Sequence, residues 1–266
     1  MAATTAKVPT LELVIEGSLA WIVADNQERM NALTAAMWEA VPRLVAKAEA
    51  HAGVRVVVLR GAGERAFSAG ADITEFESAR TGENAKAYDR LNHDAFTAIS
   101  AAHKPTIAMI HGFCLGGGLG LAAACDLRLA GDTAQFAIPA AKLGLGYNPR
   151  WVRPLLALAA PARVKELLLT GRRFSASEAE RMGLVNRVVA ADRLEAETRA
   201  LALEIAANAP LTVRAAKQAV DELWRHPEHP DTRALDAAVE ACFHSEDYAE
   251  GRRAFLDKRK PRFEGR

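Results

Sequence analysis

Apolar residues in the first half of the chain are grouped into short runs that alternate with amphipathic stretches. The runs at residues 11–15 and 19–23 are separated by a short turn and predict two strands. Thr34 is a suitable N-cap for a helix that extends to about residue 51, with a kink or a late start at Pro42. This part of the chain is therefore expected to contain two strands followed by a helix.

Two continuous apolar runs, residues 54–59 and 106–110, have the composition of strands that are buried on both faces. A glycine-punctuated loop is expected at residues 61–70. The other elements of this half are predicted as helices at residues 84–102 and 116–124 and as strands at residues 127–130 and 135–138. Strands and helices that alternate at these intervals favour crossover connections and mostly parallel pairing.

Beyond residue 147 the pattern becomes mostly helical. The predicted helices span residues 161–170, 176–182, 193–208, 211–224 and 232–243, and a last helix is capped by Ser245 and ends near residue 258. One further strand is expected at residues 185–189. The sequence therefore predicts an α/β fold in which residues 1–190 form the core and residues 191–266 form a helical subdomain.

The composition is that of an ordinary globular protein and indicates no strongly charged partner. Half of the 266 residues are hydrophobic, a quarter are charged, and the formal net charge is +1. Neither nucleic acid nor a membrane is therefore expected as a partner. The three cysteines have neither metal-ligand nor disulfide-framework spacing, and we find no apolar run of signal-peptide or membrane-spanning length. A cytoplasmic protein without a bound metal is expected.

Two glycine-containing turns carry the most informative pattern in the chain. Each of them, residues 66–73 and residues 111–118, follows a predicted buried strand and precedes a predicted helix. Main-chain N–H groups at the start of a helix have no intrahelical partner, and small side chains let a ligand oxygen approach them. Two such turns on neighbouring strands can direct two N–H donors to one carbonyl oxygen, which is the construction of an oxyanion hole.

Simpler interpretations exist for the triple glycine at residues 116–118. A tight turn between a strand and a helix is one of them. Phosphate binding is a second, but no Gly-Lys-Ser/Thr sequence ends the turn, and Leu121 stands where a dinucleotide fingerprint has its last glycine. Each turn alone is a weak indication of an oxyanion hole, and the two together are a strong one.

With these turns in view, the chain resembles the crotonase (enoyl-CoA hydratase/isomerase) superfamily over nearly its whole length. The other matching segments are residues 28–33 (Glu-Arg-Met-Asn-Ala-Leu), 125–127 (Cys-Asp-Leu), 183–186 (Gly-Leu-Val-Asn) and 255–261 (Phe-Leu-Asp-Lys-Arg-Lys-Pro). The resemblance implies a spiral of ββα units with a C-terminal helical trimerisation subdomain, assembled as a homotrimer or a dimer of trimers. It also implies an acyl-CoA thioester as ligand, so that coenzyme A enters as part of the substrate and no cofactor is bound permanently.

The same resemblance assigns roles to individual residues. It places the oxyanion donors on the N–H groups of Ala71 and Gly117. Contacts with coenzyme A are expected from Arg29, Ala69, Asp72, Ile73, Phe255 and Lys258. The backbone around Ala69 and Ile73 would contact the adenine and pantetheine parts, and Arg29, Phe255 and Lys258 would lie at the nucleotide end. The acyl pocket is expected to be lined by Leu119, Gly120, Ala140 and Leu145.

Two departures from the family pattern bear on the reaction. Hydratases of the family have glutamates at the positions of Gly120 and Ala140, and these carboxylates activate water and transfer protons. Glycine and alanine have no group that can do so. Conventional hydration of an enoyl-CoA is therefore not expected, although a Gly120→Glu/Ala140→Glu double variant is expected to regain part of it.

Tyr147 is a candidate to act in place of the missing carboxylates. Residues 143–149 resemble the loop of methylmalonyl-CoA decarboxylases of the family, in which a tyrosine lines the acyl pocket. The histidine that those enzymes have near the first oxyanion donor is absent, since Ala71 fills that place. Simple packing in the loop is an equally good interpretation of Tyr147.

Other charged residues are weaker candidates. Glu75 could lean into the pocket as a base, but a carboxylate at a helix start also interacts favourably with the helix dipole. Arg150 and Arg153 could attract a substrate carboxylate, although exposed arginines are usually only solvated. Asp126 is expected to be a structural hydrogen-bond acceptor.

Three functions remain open at the level of sequence. The chain could be an enzyme that stabilises an enolate without the glutamate pair, namely a decarboxylase, an isomerase or a carbon–carbon lyase. It could instead be an enoyl-CoA hydratase, or an acyl-CoA-binding protein without catalysis. The residues at positions 120 and 140 favour the first and the third function over the second.

Overall fold

The structure is a computed structural model that describes residues 8–75 and 83–266. In this part of the chain, ten strands form one sheet of six and a second sheet of four. The strands are β1 (Thr10–Glu16), β2 (Leu19–Asp25), β3 (Val56–Gly61), β4 (Ala66–Ser68), β5 (Thr106–Ile110), β6 (Phe113–Leu115), β7 (Leu127–Gly131), β8 (Gln135–Ala137), β9 (Phe174–Ser175) and β10 (Arg187–Val189).

The first described helices pack on the first sheet, whereas the last ones form a separate layer at the C-terminus. They are α1 (Ala35–Ala50), α2 (Glu83–Ser100), α3 (Gly117–Ala124), α4 (Pro149–Leu158), α5 (Pro161–Thr170), α6 (Ala176–Met182), α7 (Leu194–Ala206), α8 (Pro210–Arg225), α9 (Thr232–Phe243) and α10 (Glu246–Leu256). Short 3-10 turns lie at Gln27–Arg29, Ile73–Glu75 and Pro139–Leu143.

The two sheets are mostly parallel, as the alternation of elements predicts. The first has the order β1-β2-β3-β5-β7-β10, and the β1–β2 hairpin is its antiparallel pair. The second has the order β4-β6-β8-β9, in which β8 and β9 are antiparallel. Strands β3 and β5 lie inside the first sheet and are almost entirely buried, which explains their continuous apolar runs. The prediction of an α/β fold with parallel pairing is confirmed.

Helices cover both faces of the six-stranded sheet. On one face α1, α2 and α3 bury the larger core, to which α1 contributes Trp38 and Leu44. On the other face α7 contributes Leu194 and Ala202 to a smaller core with strand residues such as Val58. The helix that follows residue 190 therefore packs on the sheet, and the division of the chain at that residue stays a prediction.

Helix α1 illustrates how a local sequence signal fixes an element. The Thr34 hydroxyl accepts a hydrogen bond from the N–H of Met37, as expected of an N-cap. The helix begins at Ala35 and continues through Pro42 to Ala50, so the late start at the proline is excluded.

Several short elements differ from the sequence-based expectation. The predicted loop at residues 61–70 contains β4, and the second glycine turn contains β6, which pairs with β4. Helix α4 was not expected, because Pro154 interrupts its helical pattern, although Pro149 is at the first residue, where proline is favourable. It forms because Asn148 caps its first turn and because Trp151 and Leu155 are buried.

A buried arginine fixes the far end of α3. The Arg128 guanidinium donates to the carbonyl oxygens of Cys125 at 2.6 Å and Leu184 at 2.9 Å and to the side-chain oxygen of Asn186 at 3.1 Å. A cation is favourable at the C-terminus of a helix, where unpaired carbonyl groups carry partial negative charge. Asp126, on the same turn, accepts from the N–H and hydroxyl of Thr106. Asp126 is therefore a structural hydrogen-bond acceptor, as the sequence analysis expects.

The C-terminal helices leave many apolar side chains exposed. Helices α8 and α9 have no buried residue. The exposed large side chains of the three helices include Val220 of α8, Phe243 of α9 and Phe255 of α10. A groove of about 670 Å³ runs between these three helices. Among the described residues, none of the helices has the length and apolar character needed to cross a membrane.

Candidate active site

The segment after β4 is held by the segment before α1. The N–H of Leu33 donates to the Gly70 oxygen at 2.7 Å, and the N–H of Asp72 donates to the Leu33 oxygen at 3.0 Å. Successive amides of an extended chain point to opposite sides, so the N–H of Ala71 faces away from Leu33. Within the described residues, this N–H has no hydrogen-bond partner.

Asn31 anchors this arrangement from a position that the sequence analysis did not single out. Its side-chain NH₂ donates to the carbonyl oxygens of Ala62 and Ala66, and its side-chain oxygen accepts from the N–H of Asn26. Asn31 is buried and has φ of 54°, and the preceding Met30 has φ of 52°. Asparagine tolerates the left-handed conformation better than most residues, and this tolerance is the signal that could have identified it.

The second turn begins at Gly116, which has φ of 53°. Its N–H donates to the Ala137 oxygen at 2.8 Å, which ties the turn to β8. Helix α3 begins at the next residue, Gly117, whose N–H has no partner among the described residues, as expected at a helix start.

The two turns meet because β4 and β6 are parallel neighbours. A Cβ added to Gly70 would lie only 2.8 Å from the Leu115 oxygen and 3.0 Å from the Gly117 nitrogen. A Cβ added to Gly117 would lie 3.8 Å from the Ala71 nitrogen. The main-chain nitrogens of Ala71 and Gly117 therefore lie close together where the two turns meet, and neither N–H is bonded to another described residue.

Four aromatic rings form a continuous wall beside these amides. Trp38 lies against the first turn of α3, since a Cβ added to Gly117 would approach its ring at 3.0 Å. Phe96 packs edge-to-face on Trp38 and on Trp151, with ring centroids 5.8 Å apart in both pairs. Tyr147 packs on Trp151 at 5.6 Å. We call Trp38, Phe96, Trp151 and Tyr147 the aromatic wall.

Tyr147 lies at the outer end of the aromatic wall and is half-buried. Burial raises the pKa of its phenol well above the usual range, so that the group stays protonated at neutral pH. Within the described part of the chain its hydroxyl has no hydrogen-bond partner. Tyr147 thus packs in the wall and also carries a hydroxyl that is unbonded among the described residues, so the two interpretations of this residue are compatible.

The positions of the two family glutamates are both buried and apolar. A Cβ added to Gly120 would lie 2.5 Å from the tip of the Phe96 ring, which fills the space of a side chain there. Ala140 lies in the 3-10 turn that follows β8 and is also buried. Gly120→Glu therefore needs a displacement of Phe96, which the sequence-based expectation of regained hydration did not take into account.

The nearest carboxylates to Ala71 in the sequence are engaged elsewhere. Asp72 accepts from Arg29 at 2.6 Å and from the Thr74 hydroxyl at 2.8 Å. Burial acts to raise the pKa of Asp72, but these hydrogen bonds outweigh it and hold the pKa below its ordinary value. Glu75 accepts from the N–H of Ala35 at 2.8 Å and so helps to cap α1.

The predicted ligand-contacting residues fall into three places in the fold. Arg29, Ala69, Asp72 and Ile73 lie together at the mouth of the first turn, where the Ala69 N–H is already bonded to Met30. Phe255 and Lys258 lie at the end of α10, which among the described elements packs mainly on α9. The other two residues predicted to line the acyl pocket, Leu119 and Leu145, differ in exposure. Leu119 is buried in the core, whereas Leu145 is exposed and its N–H donates to the Ala140 oxygen.

The parallel sheets, the paired glycine turns and the C-terminal helical layer together define a crotonase-like α/β protein. The sequence profile of the enoyl-CoA hydratase/isomerase family matches residues 14–266, and the chain belongs to this family. The residues that carry the resemblance in the sequence thus led to the correct family and fold.

Relatives and solved structures agree with this assignment over nearly full length. A short-chain-enoyl-CoA hydratase of Clostridium acetobutylicum is 34% identical over 247 residues, covering 92% of this chain and 94% of that one. A carnitinyl-CoA dehydratase of Proteus mirabilis is 37% identical over 262 residues, covering 97% of this chain and 99% of that one. The crystal structure of an enoyl-CoA hydratase/isomerase family protein from Hyphomonas neptunium has a TM-score of 0.92 at 42% identity. The match covers 96% of this chain and 98% of that one.

The Asp72 hydrogen bonds predict an acid-sensitive contribution to stability. Because the pKa of Asp72 is lower in the folded than in the unfolded chain, its contribution is present above about pH 4 and is lost as the pH falls through the folded pKa. The difference in free energy of unfolding between the unmodified protein and Asp72→Asn should therefore shrink between pH 6 and pH 3. Urea titrations at each pH measure it. Asp192→Asn, at an exposed position, is the control, and an Asp72→Asn difference that stays constant with pH would contradict the prediction.

Proposed function

We propose that the chain binds an acyl-CoA thioester and stabilises its enolate oxygen between the N–H groups of Ala71 and Gly117. The main support is that the two main-chain nitrogens lie close together where the glycine turns meet and that their N–H groups are free of partners among the described residues. Preorganised N–H donors of this kind act on an oxygen that gains negative charge in the transition state. Helix α3 adds its dipole, because Gly117 is its first residue and all later residues of it are buried.

The reaction class follows from what lies beside these donors. Gly120 and Ala140 provide no carboxylate, and the aromatic wall is apolar, so no group at these positions can activate water. We favour decarboxylation, isomerisation or carbon–carbon cleavage, each of which passes through an enolate that these donors would stabilise. Of the three, decarboxylation depends least on a base, because the electron pair of the broken bond needs only an electron sink. In a decarboxylation the bond from the α-carbon to the carboxylate breaks, CO₂ leaves, and the electron pair remains as the thioester enolate, which then takes a proton from water.

An apolar wall suits decarboxylation for a further reason. A carboxylate loses hydration on entering such a site, and its conversion to neutral CO₂ removes the unfavourable charge. The Tyr147 hydroxyl, which stays protonated, is placed at the outer end of the wall where it can orient that carboxylate. Arg150 and Arg153 are both exposed, and Arg153 donates to the Arg225 oxygen, so we assign them no part in the chemistry.

Hydration of an enoyl-CoA is the second candidate function. It is favoured by the names of relatives, which include the hydratase of Clostridium acetobutylicum and a crotonyl-CoA hydratase of Syntrophomonas wolfei that is 35% identical. It needs a proton-transferring group that neither position 120 nor position 140 supplies. A screen of malonyl-type and enoyl-CoA thioesters by mass spectrometry distinguishes the two candidates, and binding without any turnover would indicate an acyl-CoA-binding protein.

The oxyanion donors can be tested without knowledge of the reaction. A thioester carbonyl that accepts two N–H bonds is polarised, so the infrared stretch of a bound [1-¹³C]acyl-CoA should shift to lower frequency. Ala71→Pro removes one donor and should lose most of this shift, with a fall in any turnover of roughly 10²–10³-fold. Ala71→Gly keeps the N–H and is the matched control, in which the shift should remain.

Circular dichroism and a coenzyme A titration must first show that the proline variant is folded and binds. If the carbonyl shift of the folded Ala71→Pro protein equals that of Ala71→Gly, Ala71 is not an oxyanion donor and the proposed function is wrong.

The absent carboxylates predict very slow hydration. Crotonyl-CoA turnover by the unmodified protein should be orders of magnitude below that of a glutamate-containing hydratase measured in parallel, because two acid–base groups are missing. Gly120→Glu alone should lower the melting temperature and leave hydration absent, since its side chain meets the Phe96 ring. The loss of the ultraviolet absorbance of the conjugated thioester in crotonyl-CoA follows the reaction. Rapid hydration by the unmodified chain would support the second candidate instead.

We also propose that the exposed apolar side chains of α8, α9 and α10 are covered in a homotrimer or a dimer of trimers. Exposed large apolar side chains of these helices surround a contiguous groove of about 670 Å³, and a cluster of this kind is typical of a protein–protein contact. Light scattering at micromolar concentration should give three or six times the 28.6 kDa of one chain. Phe243→Glu should lower this mass, whereas Glu204→Gln on α7 should not, and a stable monomer would contradict the proposal.

A further inference from the structure

Phe96 occupies the volume into which a side chain at position 120 would project. Gly120 is one turn after Gly117, so both residues lie on the same face of α3. A Cβ added to Gly120 would lie 2.5 to 3.1 Å from three carbons of the Phe96 ring. The ring therefore lies directly on the helix backbone about one helical turn, roughly 5 Å, from the Gly117 N–H.

The ring is held in this place from both sides. It packs edge-to-face between Trp38 and Trp151, with interplanar angles of 87° and 86°. Trp38 is completely buried, and its indole N–H donates to the Tyr88 hydroxyl at 3.1 Å. Neither neighbour can turn aside without losing buried contacts, so Phe96 is a fixed boundary and not a movable side chain.

We propose that Phe96 determines the acyl-chain specificity of the site, by closing the space beside Gly120 and restricting the ligand to short acyl groups. The inference rests on the proposed function, because it takes the amides of Ala71 and Gly117 as the place where the thioester carbonyl binds. An acyl chain that leaves this carbonyl along α3 meets the Phe96 ring one turn later. The glycine at position 120 and the phenylalanine at position 96 thus form a matched pair, in which the small residue makes room for the ring.

The site that results differs from one with a carboxylate at position 120 in a way that can be measured. A carboxylate would be a charged and hydrated boundary, whereas the Phe96 ring offers only apolar contact. Removal of part of the ring should open apolar volume, and every methylene that enters it should raise the affinity about fourfold.

The experiment compares the affinities of free coenzyme A and of butyryl-, hexanoyl- and octanoyl-CoA by isothermal titration calorimetry, with chromatography to confirm that the thioesters stay intact. The unmodified protein should bind butyryl-CoA at least as tightly as the longer esters. Phe96→Leu and Phe96→Ala should shift the preference to hexanoyl- or octanoyl-CoA by about fourfold or more, with the affinity for free coenzyme A unchanged. Phe174→Leu, which shortens an equally buried ring in β9, is the control and should keep the original order.

The outcomes separate this inference from the function on which it rests. If the unmodified protein binds butyryl-CoA no better than free coenzyme A, the acyl group has no site there and both proposals are wrong. If it distinguishes acyl lengths and folded Phe96→Leu keeps the same order, the proposed function stands and the assignment to Phe96 is wrong. Phe96→Leu retains most of the apolar volume, so the test remains decisive even where Phe96→Ala does not fold.

Discussion

Two stretches of backbone, at Gly70 and at Gly117, pass each other at a distance that leaves no room for a side chain. The Leu115 oxygen and the Gly117 nitrogen lie within 3.0 Å of the place where a Cβ of Gly70 would be, and Gly70 has φ of 93°. Any larger residue at Gly70 would separate the turns and move the amides of Ala71 and Gly117 apart. The two stretches of backbone are held at this distance by the pairing of β4 with β6, by the Asn31 hydrogen bonds and by the start of α3.

The surroundings of the amides complete a consistent physical picture. Aromatic rings exclude water on one side, and the carboxylates of Asp72 and Glu75 are bound to other partners. In such a dry place a hydrogen bond to a developing negative charge is stronger than in water, while proton transfer from a side chain is not provided. In the function that we propose, the two amides supply the electrostatic part of the family's chemistry, and apolar residues stand where its acid–base groups would be.

The sequence predicts those parts of the fold that depend on local patterns. The continuous apolar runs predicted β3 and β5, and Thr34 predicted the start of α1. The glycine turns pointed to the amides of Ala71 and Gly117, whose role stays a prediction. Strand β4 is too short for periodicity, and the prolines of α4 concealed a helix that forms because Trp151 and Leu155 are buried. The contact of Phe96 with Gly120 joins residues from two helices and leaves no mark in either local pattern. The nucleotide-end positions Phe255 and Lys258 remain predictions.

The burial of α3 has a consequence for how salt acts on the protein. All residues of α3 after Gly117 are buried, so mobile ions have little access to the helix, and its dipole is screened less than that of an exposed helix. Arg29, by contrast, is half exposed, and at physiological ionic strength a charge at such a place is screened over about 8 Å. In the complex that we propose, ionic strength therefore acts differently on the two ends of the thioester: it weakens a contact of Arg29 with the nucleotide end and changes the field at the carbonyl oxygen much less.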